Sequence, residues 1–319
     1  MEIAISAGRH YGPEGLGDIL ERSITAVLLA KHYQIMGHNV VICFDWRHTN
    51  YINSSENVSN LLLSNKSVLD IPLINIEQLQ EFEKIEGDLN PLTKKPYYAM
   101  SIDPYHGICL YAKHANKKKV DELLEIWNSF LSVNYNKYTT GIFDNVTVGS
   151  DPTFEMRSNA YKDLRFREDV TKNLNNITTD IAIHVRHGNG EFANVNTHRL
   201  ESELDKKLPS IFYDYCANYE DPPTIHISTD SMACLNIIKH AALKVFKTSN
   251  FLHVREDLNI HGGALHHGYK GIESLYLDCA EMIQLSNTNH LIYGSSHFNL
   301  YANFTNLQCK KTFIHSFRA

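Results

Sequence analysis

His184, Arg186, Asn189 and Glu191 crowd the end of an apolar run, in the stretch 180–191 that reads DIAIHVRHGNGE. Those side chains can do two kinds of chemistry. A guanidinium presents a planar fork of donors that fits phosphate oxygens, and a carboxylate nearby can orient that fork or take a proton from an attacking hydroxyl. Gly188 and Gly190 permit a tight turn and a close backbone approach to a ligand. Ile181, Ile183 and Val185 have the β-branched character of a buried strand. Arg186 is therefore expected at that strand's carboxyl end, where open α/β sheets bind their ligands. A lone arginine is more often half of a structural ion pair, but four polar groups at one strand end favour an anion site.

Two further strand ends carry polar clusters. The run 225–228 leads into Thr229, Asp230 and Ser231, and the run 291–293 leads into Gly294, Ser295, Ser296 and His297. A helix opening at those serines would offer backbone N–H groups and its dipole to an anion. Before it, a helix is expected over 272–285, with Asp278 and Glu281 on one face at i, i+3. An acid so placed can accept the pair of N–H bonds that a guanine edge offers. A doubly wound sheet puts such strand ends on one rim, so the three clusters should converge on a single ligand.

The beginning of the chain shows one more strand, helix and strand. An apolar strand over 2–6 runs into a glycine-rich loop over 7–17, and Asp18 is placed to cap a helix that reaches Met36. Gly37 suits the position just past its end. A strand over 39–44 then ends on Asp45, Trp46 and Arg47. That is a complete βαβ unit with polar groups at its strand end, so Gly17, Asp18, Asp45, Trp46 and Arg47 are candidates for the acceptor side or wall of a cleft. Trp46 suits core packing equally well. Between 50 and 176 the pattern loosens, with helix signals over 77–85 and 120–130 and a proline-containing, tyrosine-rich piece over 96–111. The expected domains are 1–176 and 177–319.

Composition bounds the ligand. With 319 residues, 43% of them hydrophobic, the chain can bury a sizeable core and form two domains. A formal net charge of −6 argues against nucleic acid as a partner. The basic run 117–119 reads as the solvated face of a helix. Cysteines at 43, 109, 216, 234, 279 and 309 form no C-x-x-C pair, which suits reduced, mostly buried thiols. No apolar run is long enough for a transmembrane segment, and the N-terminus lacks a signal-peptide pattern. The expected location is cytoplasmic, with a peripheral place at the inner membrane as an alternative. The sequons at Asn57 and Asn145 would then carry no glycan.

Several chemistries are disfavoured by missing motifs. The chain has neither a Walker pattern nor G-x-G-x-x-G, and the run 261–264 (HGGA) echoes an esterase oxyanion loop without a G-x-S-x-G elbow. His261, His266 and His267 have no carboxylate at ligand spacing, and no Asp-x-Asp follows an apolar strand. No metal or other cofactor is expected.

Four places together resemble one family. AIHVRHGNGE at 182–191 is similar to the first signature of the nodulation-type α1,6-fucosyltransferases, which transfer fucose from GDP-fucose to N-acetylglucosamine. GLGDIL at 15–20, FDWRHTNY at 44–51 and EMIQLSNTNHLIYGSSHF at 281–298 resemble that family's glycine-rich turn, its Asp-Trp-Arg strand end, and its acid-bearing helix with the Ser-x-Phe turn. STDS at 228–231 is a short further match. The resemblance leaves about 50–176 unmatched and implies an α/β, GT-B-like fold of two facing Rossmann-like domains, the C-terminal one binding the donor.

It also implies roles. Arg186 would hold the donor diphosphate beside His184 and Gly188; Glu281 would read guanine, with Asp278 one turn earlier as the alternative; and Ser295, Ser296 and Phe298 would close against the phosphates, with Asp230 and Ser231 at the neighbouring strand end. Related eukaryotic enzymes carry an acid where this chain has Asn189, an amide that cannot deprotonate an acceptor, so Glu191 becomes the candidate base. The implied reaction is inverting transfer without a metal, to an oligosaccharide or glycolipid acceptor.

Overall fold

The computed structural model describes residues 2–8, 16–47, 57–87, 107–141, 153–174, 177–185, 197–252, 271–294 and 296–315. Contacts divide the chain into two units, Met1–Lys172 with Tyr269–Tyr276, and Asn173–Gly268 with Leu277–Ala319.

In the first unit, strand β1 (Glu2–Gly8) is followed by helix α1 (Leu16–Ile35) and strand β2 (Asn39–Asp45). Ile24, Val27, Leu28 and Leu29 of α1 are buried against the sheet. Its C-terminus is a Schellman turn: the His38 N–H donates to Tyr33 O (3.1 Å) and the Gly37 N–H to Gln34 O (3.0 Å). Gly37 sits at φ +88°, which a side chain would strain. The helix starts two residues before Asp18, which lies in its first turn and not at the cap; a carboxylate there still complements the helix dipole. β1 and β2 pair in parallel, Ile3 opposite Val40, as a βαβ crossover requires.

The loosely patterned stretch contributes helix α2 (Ser59–Leu62), the small ladder of β3 (Ser67–Val68) and β4 (Ile71–Pro72), helix α3 (Ile76–Leu79), strands β5 (Glu83–Gly87) and β6 (Ile108–Ala112), and helices α4 (Lys117–Gly141), α5 (Phe154–Lys162) and α6 (Glu168–Thr171). The main sheet runs β2-β1-β6-β5, with β6 antiparallel to β1 and β5 antiparallel to β6. The helix expected over 77–85 is therefore wrong. α3 makes a single turn closed by an Asn75–Gln78 capping box, and the chain then becomes an edge strand. Leu79 and Phe82 reach the same small core of Ala4, Val41 and Cys43, so tertiary packing overrode a short helical pattern. Lys117, Lys118 and Lys119 are exposed at the start of α4.

The same unit encloses a charged cluster. Arg157 of α5 ion-pairs with Glu21 of α1, and the Tyr161 hydroxyl donates to the other carboxylate oxygen (2.5 Å). All three residues are about 1% exposed. Burial and the adjacent Glu21 charge push the Tyr161 phenol well above its ordinary range.

In the second unit, strand β7 (Thr179–Val185), helix α7 (Thr197–Cys216), strand β8 (Thr224–Thr229), helix α8 (Met232–Phe246), strand β9 (Asn250–Leu252), helix α9 (Gly271–Gln284, of which the part from Leu277 on belongs to this unit), strand β10 (Thr288–Gly294), helix α10 (Leu300–Thr305) and strand β11 (Lys310–His315) alternate in order. The sheet runs β11-β10-β7-β8-β9 and every pair is parallel. Alternation along β7 sends Ile181, Ile183 and Val185 into a core with Leu204, Phe212 and Leu235, on the side of α7 and α8. Ala182 packs on the opposite side with Leu285, Leu291 and Ala302. A sheet covered on both faces is what the near-continuous apolar strands require.

Candidate functional site

Three residues stand side by side across the second sheet near its carboxyl edge. In register, His184 of β7 pairs with Tyr293 of β10 on one side and Ser228 of β8 on the other. The two-residue period that buries Ala182 toward α9 and α10 puts His184 on that same face. Its imidazole stacks on Phe298, with centroids 5.1 Å apart and planes 22° from parallel. Ser228 Oγ lies 3.4 Å from Glu281 Oε2, which brings the acid of α9 into the row. His184, Ser228 and Glu281 are all buried, between 4% and 8% exposed.

The height of α9 beside the sheet decides which acid a ligand meets. Its C-terminal end is fixed at the amino edge, where Gln284 Nε2 donates to Ile177 O (3.1 Å) and Asn287 O accepts the Thr179 N–H (3.0 Å). Each turn toward its N-terminus climbs about 5.4 Å toward the carboxyl edge. Glu281 is level with the His184 row, and Asp278, also buried, is one turn higher.

After β10 the chain turns through a 3₁₀ helix at His297–Asn299. Ser296 Oγ accepts the Phe298 N–H (3.2 Å), and Asn299 Nδ2 donates to Gly294 O (2.7 Å), so the turn that presents Phe298 to His184 is fastened at both ends. Ser231 has a different task. It is fully buried and caps α8 by accepting the Cys234 N–H (3.2 Å). Asp230 lies between Ser231 and the end of β8.

The strand ends of the first unit are tied to their own scaffold. Arg47 Nε and Nη2 each donate to an Asp45 oxygen at 2.7 Å, and that bidentate pair raises the guanidinium pKa further. Trp46 is 2% exposed and its Nε1–H donates to Ser23 Oγ (2.8 Å). The expectation that it lines a wall gives way to packing, because its ring stacks on Phe44 and its one donor is engaged. Asn57 bridges the strand end, accepting from Trp46 N (2.9 Å) and donating to Phe44 O (2.7 Å). Gly17 is buried in the first turn of α1, next to Asp18.

Two solved structures align with nearly the whole chain. POFUT1 in complex with GDP-fucose aligns with a TM-score of 0.50 and 10% identity over 98% of this chain and 97% of that one. POFUT1 in complex with GDP aligns with a TM-score of 0.49 and 10% identity over 98% of each chain. The fold is GT-B-like. Neither a family model nor a curated protein sequence matches the chain.

Within that GT-B-like frame, the described residues include His184, Asp230, Ser231, Asp278, Glu281, Ser296 and Phe298 of the second unit and Gly17, Asp18, Asp45, Trp46 and Arg47 of the first. Arg186, Gly188, Asn189, Glu191 and Ser295 lie outside the described residues, as do His261, His266 and His267. Among the described residues no group of three His, Cys, Asp or Glu could hold a metal ion, and no helix is long and apolar enough to cross a membrane. None of the six cysteines is in a disulfide; four are buried, Cys309 is half-buried and Cys216 is exposed.

Sequence reading missed Arg22. It is buried in α1, and its Nη1 donates to Gly8 O (3.1 Å) at the end of β1. Gly107 stands against the same carbonyl, where an added Cβ would come within 2.2 Å of Gly8 O, so the strand end is closed by a contact only glycine permits. The available signal was the charged pair Glu21-Arg22 inside an otherwise apolar helical run.

Proposed function

We propose that the chain is an inverting fucosyltransferase that moves L-fucose from GDP-fucose to a hydroxyl, O6, of an N-acetylglucosamine-containing glycan, in the manner of the nodulation-type enzymes its motifs resemble. The observation that carries this reading is the row His184, Ser228 and Glu281 with Phe298 stacked on it, at the carboxyl edge of an all-parallel sheet. Arg186 follows that row directly in sequence. A GT-B-like fold whose solved counterpart carries GDP-fucose makes that nucleotide sugar the first ligand to try.

The chemistry follows from the residues. As the bond from fucose to GDP breaks, negative charge builds on the leaving phosphate while the sugar takes on oxocarbenium character. The Arg186 fork and the N–H groups around Ser295 and Ser296 would stabilise that charge, and donors aimed at developing charge are worth about 10²–10³ in rate each. Glu281 would accept the guanine N–H pair, with Asp278 as the acid nearer the edge. Glu191 would take the acceptor proton, since Asn189 cannot. Positive potential supplied by the protein leaves no task for a metal, so turnover should persist in excess EDTA.

Incubating the chain with GDP-fucose and a panel of N-acetylglucosamine glycans, and measuring GDP release with the mass of the product, tests the proposal. A product heavier by one fucose is the expected result. Asn189 favours one other reading, a non-catalytic nucleotide-sugar-binding module. It would bind GDP-fucose and release no GDP with any acceptor. Equal use of GDP-mannose or a UDP-sugar would point to a different transferase.

A further inference from the structure

The second unit has another concavity, far from the row described above. A cavity of about 420 Å³ is lined by Asp180, Asp214, Tyr215, Tyr219, His290 and Lys310, among others. Asp180, His290 and Lys310 stand at or near the starts of β7, β10 and β11, so in a parallel sheet they mark the amino edge. His184 is four residues further along β7 than Asp180, and at about 3.3 Å per residue the two sites are about 13 Å apart along the strand.

The walls are built for one kind of guest. Tyr215 and Tyr219 stack, with centroids 4.4 Å apart and planes 21° from parallel, and Tyr215 is wedged edge-on against Phe246 (5.8 Å), which in turn meets Phe212 in the core. An aromatic ladder thus runs from the sheet core to the surface, where Tyr219 is 59% exposed. The Tyr215 hydroxyl bonds to Asp180, and burial together with that carboxylate pushes the phenol up to about 12. Asp180 also holds its own position by accepting the Thr224 N–H (2.8 Å). Burial and the Lys310 charge bring His290 down to about 4, so the ring is neutral and bonds to Thr312 Oγ1 (2.8 Å).

Carboxylates accept, an ammonium donates, and the two signs of charge sit in one cavity beside an aromatic platform. A cation would meet Lys310, and an anion would meet Asp180 and Asp214. A neutral guest that both donates and accepts, and has an apolar face to lay on a ring, meets no like charge. That is a pyranose. We propose that this amino-edge cavity is a second carbohydrate-binding site, which takes a neutral sugar unit of a glycan on the Tyr215–Tyr219 platform, separate from the nucleotide-sugar row. The site would hold a glycan to the protein whether or not the donor row is occupied, and it does not depend on the proposed transfer reaction.

The test is calorimetric titration of the full chain with neutral oligosaccharides (chitotetraose, mannotetraose and maltotetraose) in the presence of saturating GDP, with choline chloride and sodium phosphate as charged controls. At least one oligosaccharide should bind with GDP present. Tyr219→Ala should weaken that binding about tenfold, the scale of losing one aromatic contact. Lys310→Ala should weaken it as well, while both variants keep the wild-type melting temperature, since Tyr219 is largely exposed and Lys310 is exposed. Failure of every oligosaccharide to bind the wild-type chain would overturn the proposal, as would binding that Tyr219→Ala leaves unchanged. Choline binding that is lost in Tyr219→Ala would replace the sugar with a cation and also overturn it. GDP-fucose binding and turnover are measured separately, so the donor reading can stand or fall alone.

Discussion

The two sheets end their strands in polar residues for different purposes. In the first unit, Asp45 pairs with Arg47, Trp46 donates to Ser23, Arg22 donates to Gly8, and Arg157 neutralises Glu21 in the interior. Those groups are tied to partners within their own unit. In the second unit, Ser228 Oγ lies 3.4 Å from Glu281 Oε2, and His184 lies flat on Phe298 at the edge of the sheet. Polar residues at a strand end are therefore not one signal. Their meaning depends on the partners the fold gives them, and among the described residues it is the second unit that arranges an acid, an imidazole and an aromatic ring in one row under a carboxyl edge.

Breaking one arginine in each unit tests this contrast most severely. Arg157→Ala should cost about 3–5 kcal/mol of stability, because it strands the Glu21 carboxylate in the core. A thermal melt should show it as a large drop, and replacing Glu21 and Arg157 together with apolar residues should restore much of the loss. Arg186→Ala should behave in the opposite way, lowering turnover by about 10²–10³ with the melting temperature unchanged. Arg186→Lys should also be poor, since an ammonium cannot reproduce the fork. Near-normal turnover in folded Arg186→Ala protein would remove the donor reading.

Smaller effects sharpen the same comparison. Glu281→Gln should weaken GDP binding by about 1–3 kcal/mol and leave UDP binding unchanged, because the amide can set a donor against a guanine donor. If Asp278→Asn shows that loss instead, the acid one turn nearer the edge is the reader. Arg47→Ala should have the least effect, about 0–1 kcal/mol in a denaturant titration, since Arg47 and Asp45 form a partly exposed pair. A loss of several kcal/mol there would mean that the first unit's strand end is more than a surface bridge.

Strands β1, β2, β7, β8 and β10 and helices α1 and α9 were legible because their apolar runs are bounded by punctuating residues, whereas α7, α8, β9 and β11 were not read from the sequence. The segment 180–185, the helix up to Ile35 and Gly37 at its end follow from periodicity and a single positive φ. The stretch 77–85 was not legible. Leu79 and Phe82 fit a helical spacing, yet a capped turn followed by antiparallel pairing with Ile108–Ala112 buries them equally well, and that pairing depends on residues far away in sequence. The Glu21–Arg157–Tyr161 cluster was hidden for the same reason, since its members are brought together only by α1 packing on α5. At the candidate site, sequence picked out His184, Glu281 and Phe298, but it could not tell that Ser231 caps a helix or that Trp46 faces inward. Those distinctions rest on where one hydroxyl and one indole N–H find their partners.

The most direct test of the account is calorimetric titration of the wild-type chain with GDP-fucose, with GDP as competitor and UDP-N-acetylglucosamine as control. Saturable binding of GDP-fucose at one site, full displacement by GDP and no heat from the UDP-sugar are the expected results. Absence of GDP-fucose binding, or equal binding of the UDP-sugar, would contradict the donor reading.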